Sequence, residues 1–253
     1  QSPRSRDQLD EPLLRVAKAT APNTHSHPLD PALDLARNGL QTIQTNVKDY
    51  TCTVVKRERI NGELLDYEYM YAKVRNRKAQ NGRVLSPFSV YMYFLKPTDV
   101  KGREVIYVEG RNDNKLVAHE GGMKGRLLPT VWLRPTGVLA MRGQRYPITE
   151  LGIEKLVAKL IERGEQERAA GNQDCKVTFH ENAKINGRTC TLLQIKHPEP
   201  SPDLEFHLAQ IFIDDELQVP IRYAAYDFPL TPGGQPAVLE EYTYLDIKLN
   251  VGL

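Results

Sequence analysis

The chain reads as short runs of alternating apolar and polar residues, interrupted by turn signals and by two stretches with helical spacing. Residues Ala209 to Tyr226 set the theme: an apolar strand, an acidic turn at Asp214 and Asp215, and a second strand opened by Pro220. Short Asp side chains hydrogen-bond their own backbone in turns, and Pro, lacking an N–H, suits the start of a strand. Thr51 to Ile60, Asn61-Gly62 and Glu63 to Arg75 form the clearest hairpin, because Asn-Gly favours a turn whose twist matches paired strands. A two-residue loop sets Ile60 opposite Glu63. Stepping back in register then sets Arg57 opposite Asp66, Val54 opposite Tyr69 and Cys52 opposite Tyr71. That register predicts a cross-strand ion pair on one face and a set of Cys52, Val54, Tyr67, Tyr69 and Tyr71 on the other.

Phe88 to Leu95 is apolar on both faces, with Val90, Met92 and Phe94 on the drier one. Arg103 to Glu109 and Lys115 to His119 predict another hairpin; Gly121, Gly122 and Gly125 mark a loop, and Thr130 to Leu133 a short strand carrying Trp132. Asp30-Pro31 is a helix-start signal, with Asp30 as cap. Leu33, Ala36, Leu40, Ile43 and Val47 then recur at helical spacing. A second helix is predicted from about Thr149 to Ala169, with a stripe of Ile153, Leu156, Val157, Leu160 and Ile161 and a stop at Gly171. Asn186-Gly187 turns a further hairpin that sets Cys190 opposite Ala183. Two strands end the chain, Ile221 to Phe228 and Val238 to Leu249, the last with an apolar face of Leu239, Thr243, Leu245, Ile247 and Leu249.

These elements amount to about ten or eleven strands and two main helices. Every clear connection is a hairpin, so the sheet is expected to be antiparallel. So many strands curl, and the concave face is where two amphipathic helices can bury their stripes. The expected fold is therefore α+β, mostly antiparallel β: a curved, half-open barrel with two helices on its concave face. Residues 1–28, polar and broken by prolines, read as an arm or linker, and residues 29–253 as one domain.

Composition narrows the function classes. The 253 residues are 40% hydrophobic and 26% charged, ordinary for a globular protein. A net charge of +2 does not point to nucleic acid, and no apolar run approaches the ~20 residues of a spanning helix. The first residue is Gln1 rather than Met, so removal of an upstream segment is expected. Cys52, Cys175 and Cys190 leave at least one thiol unpaired within the chain, and no Cys/His spacing points to zinc. The Gly121 to Arg126 stretch lacks phosphate-loop spacing. His25 and His27 read as linker residues, and Asp214, Asp215 and Glu216 as turn rather than calcium ligands. Glu240 and Glu241 alternate along a strand, so they point to opposite faces and form no shared acid pair. Lys73, Arg75, Arg77, Lys78 and Arg83 form a basic run that reads as a solvated hairpin end, with anionic headgroups or an acidic partner as the other reading. No nucleophile motif is present. No catalytic residue, metal ligand or cofactor is expected.

Tyr50 to Arg59, Pro87 to Met92, Lys101 to Val105, Met141 to Thr149, Ile213 to Leu217 and Glu240 to Leu245 resemble domain-of-unknown-function family 1571, bacterial proteins that are mostly exported. The resemblance runs from about residue 30 to the end. More distantly the layout is similar to the lipoprotein carrier LolA and its relatives, in which an antiparallel half-barrel wraps an apolar cavity with helices as a lid. The resemblance implies that fold and an exported, periplasmic or envelope-associated protein. It brings no catalytic residues.

The function expected on this basis is non-catalytic binding of a lipid acyl chain or a lipidated protein in a hydrophobic cavity. The alternative is a structural or protein-interaction module of the envelope with a packed core. Tyrosines combine an apolar body with a polar tip and suit a cavity wall. The expected lining is Val54, Tyr69, Tyr71, Val90, Met92, Phe94, Ile106, Val108, Trp132, Leu156 and Leu160. The expected partners are a lipid or lipoprotein acyl chain and an envelope protein, with no nucleic acid and no transmembrane segment.

Overall fold

A computed structural model describes residues 27–171, 173–231 and 233–253. Most of the expected N-terminal arm, with His25, lies outside the described residues. Helix α1 (Asp30–Asn46) is followed by strands β1 (Asp49–Ile60), β2 (Glu63–Leu64), β3 (Glu68–Arg75), β4 (Lys78–Gln80), β5 (Arg83–Ser86), β6 (Ser89–Lys96), β7 (Glu104–Val108) and β8 (Leu116–His119). The short helix α2 (Gly122–Leu127), β9 (Val131–Leu133), the single turn α3 (Val138–Met141) and the long helix α4 (Ile153–Ala169) come next. Strands β10 (Lys176–Ile185), β11 (Arg188–Lys196), β12 (Leu208–Asp214), β13 (Pro220–Tyr226) and β14 (Val238–Leu249) end the fold.

Twelve strands form one open antiparallel sheet in the order β10-β11-β12-β13-β14-β1-β3-β6-β7-β8-β9, with β2 on β1. Neighbours follow chain order, with β2 skipped between β1 and β3 and the β4–β5 hairpin between β3 and β6, at every pair but one. The exception is β14 with β1, which joins the two halves of the chain at the centre of the sheet. Strands β4 and β5 form a separate hairpin across Asn81-Gly82, and the basic run passes from Lys73 and Arg75 of β3 to Lys78 and Arg83 of this hairpin. Arg77 there pairs with Glu109 at 3.1 Å, so the run is partly neutralised.

The helices bury their expected stripes. Leu33, Ile43 and Val47 of the α1 region and Ile153 and Val157 of α4 are buried, and Leu40, Leu156 and Ile161 pack against the same core. Asp30 differs from its expected role as cap. Leu29 is the capping residue, and Asp30 sits in the first turn, where its carboxylate accepts the His27 N–H at 3.0 Å and pairs with Arg168 at 2.8 Å. His27 is itself buried. Gly152 precedes α4 with φ 117° and ψ 160°, a region that only glycine occupies without strain. A Cβ there would lie 2.9 Å from the Tyr50 hydroxyl. That hydroxyl accepts the free Ile153 N–H at 2.9 Å, so it serves as the cap of α4. The expected loop at Gly121 to Gly125 is instead the start and body of α2. Gly121 is there because its backbone presses on Gly102: a Cβ would lie 2.2 Å from the Gly102 carbonyl carbon.

The hairpin after β1 departs from the expected register. Its turn is as expected, with Ile60 opposite Glu63. Beyond Leu64 the second arm gains one residue, so β3 pairs Val54 with Met70, Thr53 with Tyr71 and Cys52 with Ala72. A one-residue slip exchanges the two faces. Met70, Ala72 and Val74 therefore face the core, whereas Tyr71 is exposed and Tyr69 stacks under Lys96 on the outer face, 5.1 Å from its ammonium to the ring centre. Arg57 does not face Asp66; it donates to the Leu65 carbonyl and lies over the Tyr67 ring. Where β14 pairs with β1, a bulge with Asp246 at φ 53° splits the apolar set expected on β14. Ile247 and Leu249 pack on the main core and Leu239 on the Tyr223 cluster. Thr243 faces the other way, hydrogen-bonded to Arg222 at 2.8 Å.

Candidate functional site

Between the concave face of the sheet and helix α4 lies a cavity of about 420 Å³. Its floor is apolar: Val54, Met70, Met92, Phe94, Val105 and Leu116 come from five neighbouring strands, with Leu156 and Leu160 of α4 above them. The spacing follows from the pleat, since alternate residues of each strand share one face. Val131 and Leu139 also line it while remaining well exposed, which places the mouth beside β9 and α3.

Of the residues expected to line a cavity, Val54, Met92, Phe94, Leu156 and Leu160 do so. Val90 is buried in the core outside the lining. Tyr69 and Tyr71 are on the other face for the register reason given above. Ile106 and Val108 are one residue out of phase: Met92 pairs with Val105 and Val90 with Tyr107, and those partners are the buried ones. The run Val105-Ile-Tyr-Val108 is apolar at every position, so alternation alone could not choose its inner face. Trp132 is 57% exposed, and its neighbours Val131 and Leu133 line the cavity instead.

The far end of the cavity is charged, which the sequence reading missed. Glu58 of β1 and Glu240 of β14 are direct cross-strand partners, and both are almost fully buried. The Tyr242 hydroxyl bridges them, donating to Glu58 and lying 3.4 Å from Glu240. Arg145 pairs with Glu240 at 3.0 Å, and its backbone N–H donates to Glu58 at 3.2 Å. Arg163 of α4 donates to the Tyr146 hydroxyl at 2.7 Å, which in turn donates to Glu240 at 3.2 Å. Lys56 closes the set with Glu58 at 3.1 Å and its cross-strand partner Glu68 at 3.0 Å, and it also bonds Gln144. The signal was available: with Val54 inward, a period of two carries Lys56 and Glu58 inward as well. Glu241 points to the opposite face, where Arg222 and Tyr67 hold it at 2.7 and 2.8 Å. The two adjacent carboxylates are thus separated as expected.

Burial raises the Tyr242 phenol well above its usual range, and the Glu240 and Glu58 charges push it further. Tyr223, fully buried beside them, shifts the same way for the same first reason, then through Glu240. For Arg163, burial acts against the charge, but Tyr146, Tyr223 and Glu240 outweigh it and hold the guanidinium above its ordinary range. Lys56, Arg145 and Arg163 offset Glu58, Glu68 and Glu240. Neither the phenols nor the guanidinium is poised near neutral pH, where proton transfer would need them. The arrangement is a neutralised, hydrogen-bonded cap on an apolar chamber.

The chain is an open, curled antiparallel sheet with helices across its hollow. The model of the family described as protein of unknown function (DUF1571) matches residues 47–253, and the chain belongs to that family. No curated protein matches the chain in sequence. Among solved structures it is similar to a DUF1329 family protein from Desulfovibrio piger, with 10% identity, a TM-score of 0.40 and coverage of 90% of this chain and 95% of that one. A domain named for outer membrane lipoprotein sorting, from Vibrio parahaemolyticus, shares 12% identity at a TM-score of 0.39, over 87% and 93% of the two chains. A LolA superfamily protein from Nitrosomonas europaea shares 11% at 0.30, over 85% and 93%. No helix among the described residues is long and apolar enough to cross a membrane.

Proposed function

We propose that this protein is a non-catalytic envelope protein that holds the acyl chain of a lipid, or of a lipidated protein, in the cavity under α4. The chamber carries the reading: about 420 Å³ falls within the roughly 300–1,000 Å³ of small-molecule sites. Packed cores leave only voids near water size. Its floor is apolar, and the charges at its far end are paired with one another. Each methylene that enters gains about 0.8 kcal/mol, so a chain needs no ion pair to bind. The mouth supports the same reading. Leu139 at the mouth is exposed, and Leu127, Leu128, Trp132 and Val138 of the same chain segment are also at least half exposed. Arg126, Arg134 and Arg142 lie among them, and no acidic residue occurs from Gly121 to Gln144. An apolar rim with basic flanks suits approach to an anionic lipid surface, and the export implied by the family resemblance would bring it there.

The test is titration of detergent-free protein with a fluorescent fatty acid. The parent should bind it. Met92→Glu puts an unpaired charge in the floor, at a cost of several kcal/mol, and should weaken binding at least tenfold (about 1.4 kcal/mol) while circular dichroism stays native. No uptake by the parent, or equal uptake by folded Met92→Glu, would leave a packed interaction module as the better reading.

A further inference from the structure

His197, at the end of β11, is completely buried, yet both its ring nitrogens face acceptors. Nδ1 lies 3.0 Å from the Phe206 carbonyl oxygen, and Nε2 lies 2.6 Å from a Glu167 carboxylate oxygen. A carbonyl and a carboxylate have no hydrogen to give, so both contacts need a positive centre on the ring side. The Nδ1–H serves Phe206. At 2.6 Å the Nε2–Glu167 contact holds one proton, and a metal ion takes that place only when the two donors part to about 3.3 Å.

A third donor stands beside them. The Sγ of Cys175 and the donor atoms of Glu167 and His197 all lie within 4.8 Å of one another. With bond lengths near 2.0–2.3 Å, a tetrahedral zinc ion separates its donors by about 3.3–3.6 Å. The set therefore closes on an ion with movements of about 1 Å. His197 is fixed by its carbonyl contact, which is how metal-binding histidines are usually oriented. Glu167 lies near the C-terminal end of α4, and Cys175 in the link to β10, so those two donors have freedom to adjust. Glu167 also forms part of the wall of a second cavity, of about 540 Å³. Asp174, Glu199, Asp203 and Glu205 line the same cavity, with Arg163 the one cation among the described residues of its lining. Such a wall concentrates cations near the three donors.

We propose that Glu167, Cys175 and His197 form a binding site for a borderline-soft divalent transition metal, zinc being the best match, with solvent in the fourth position. One nitrogen, one sulfur and one carboxylate oxygen suit zinc; calcium and magnesium require oxygen ligands throughout. Binding displaces the thiol proton of Cys175 and the proton between Nε2 and Glu167, and both leave to solvent. The three residues sit on a helix, a link and a strand end, and their spacing matches no zinc motif. The site is independent of the acyl-chain reading.

The test uses the whole protein, stripped with a chelator and titrated with cobalt(II) chloride. The expected spectrum has tetrahedral d–d bands and a sulfur-to-cobalt charge-transfer band, both erased by added zinc. Cys175→Ser should remove the charge-transfer band, and Glu167→Gln should weaken zinc binding by about tenfold or more. Cobalt bound without the charge-transfer band, or zinc binding unchanged in both folded variants, overturns the proposal. Should the variants fail to fold, alkylation of the parent decides. Zinc should slow modification of Cys175, read by peptide mass spectrometry, and an unchanged rate overturns the site.

Discussion

Asp214 shows how much a single residue carries in this fold. Its carboxylate is bound by Arg188 through both oxygens, one at 2.9 Å, and accepts the backbone N–H groups of Glu216 at 3.0 Å and Leu217 at 2.8 Å. Burial alone would raise its pKa, but Arg188 and the two N–H groups outweigh that and hold it below the usual aspartate range. A depressed carboxyl pKa stabilises the fold above the unfolded value, near 4, and that contribution is lost as pH falls through the folded value. Asp214→Asn should therefore cost about 1–3 kcal/mol at pH 7. The gap to the parent should shrink below about pH 4. Urea melts of both proteins at the two pH values check this, and a gap that widens in acid would contradict it. The turn was legible because Asp-Asp followed by Pro is a local signal. Gly152 was not: its glycine-only backbone is demanded by Tyr50, a residue brought in from β1.

At the scale of the element, the β1 hairpin separates what local chemistry dictates from what it does not. Asn61-Gly62 specifies the turn and the first two pairs. The extra residue after Leu64 then reverses the faces of β3, because placing Met70, Ala72 and Val74 inward fills the core while the tyrosines of β3 lie outside. Met70→Ala should cost about 2–5 kcal/mol, as a core truncation does. Tyr69→Ala should cost about 1 kcal/mol or less, the scale of an exposed cation–π contact. Thermal melts of the two variants distinguish the registers, since the one expected from the turn alone predicts the opposite order. The β7 run fails for a related reason: a strand apolar on both faces carries no phase, and only its pairing with β6 supplies one.

For the molecule as a whole, the decisive contact is β14 with β1. Each half of the sheet is a meander of adjacent strands, and this one pair makes them a single curved wall around the chamber. Removing β14 by deleting residues 238–253 would expose two long central edges and cut away Glu240 and Tyr242. The shortened chain should lose cooperative thermal unfolding and collect in the insoluble fraction, and a soluble, cooperatively melting product would show that the halves fold alone. The amino-acid sequence by itself determined most of the long strands, the two long helices with their buried stripes, the antiparallel hairpins and five residues of the chamber's apolar lining. Those depend on residues close together in the chain, where period, turn chemistry and capping act directly. Only the tertiary structure decided the face of β3 and β7, the charged cap of Glu58, Tyr242, Glu240, Arg145 and Arg163, and the meeting of Glu167, Cys175 and His197. Each depends on which distant strand or helix arrives opposite, and the free energy that selects it comes from filling one shared core rather than from any local run.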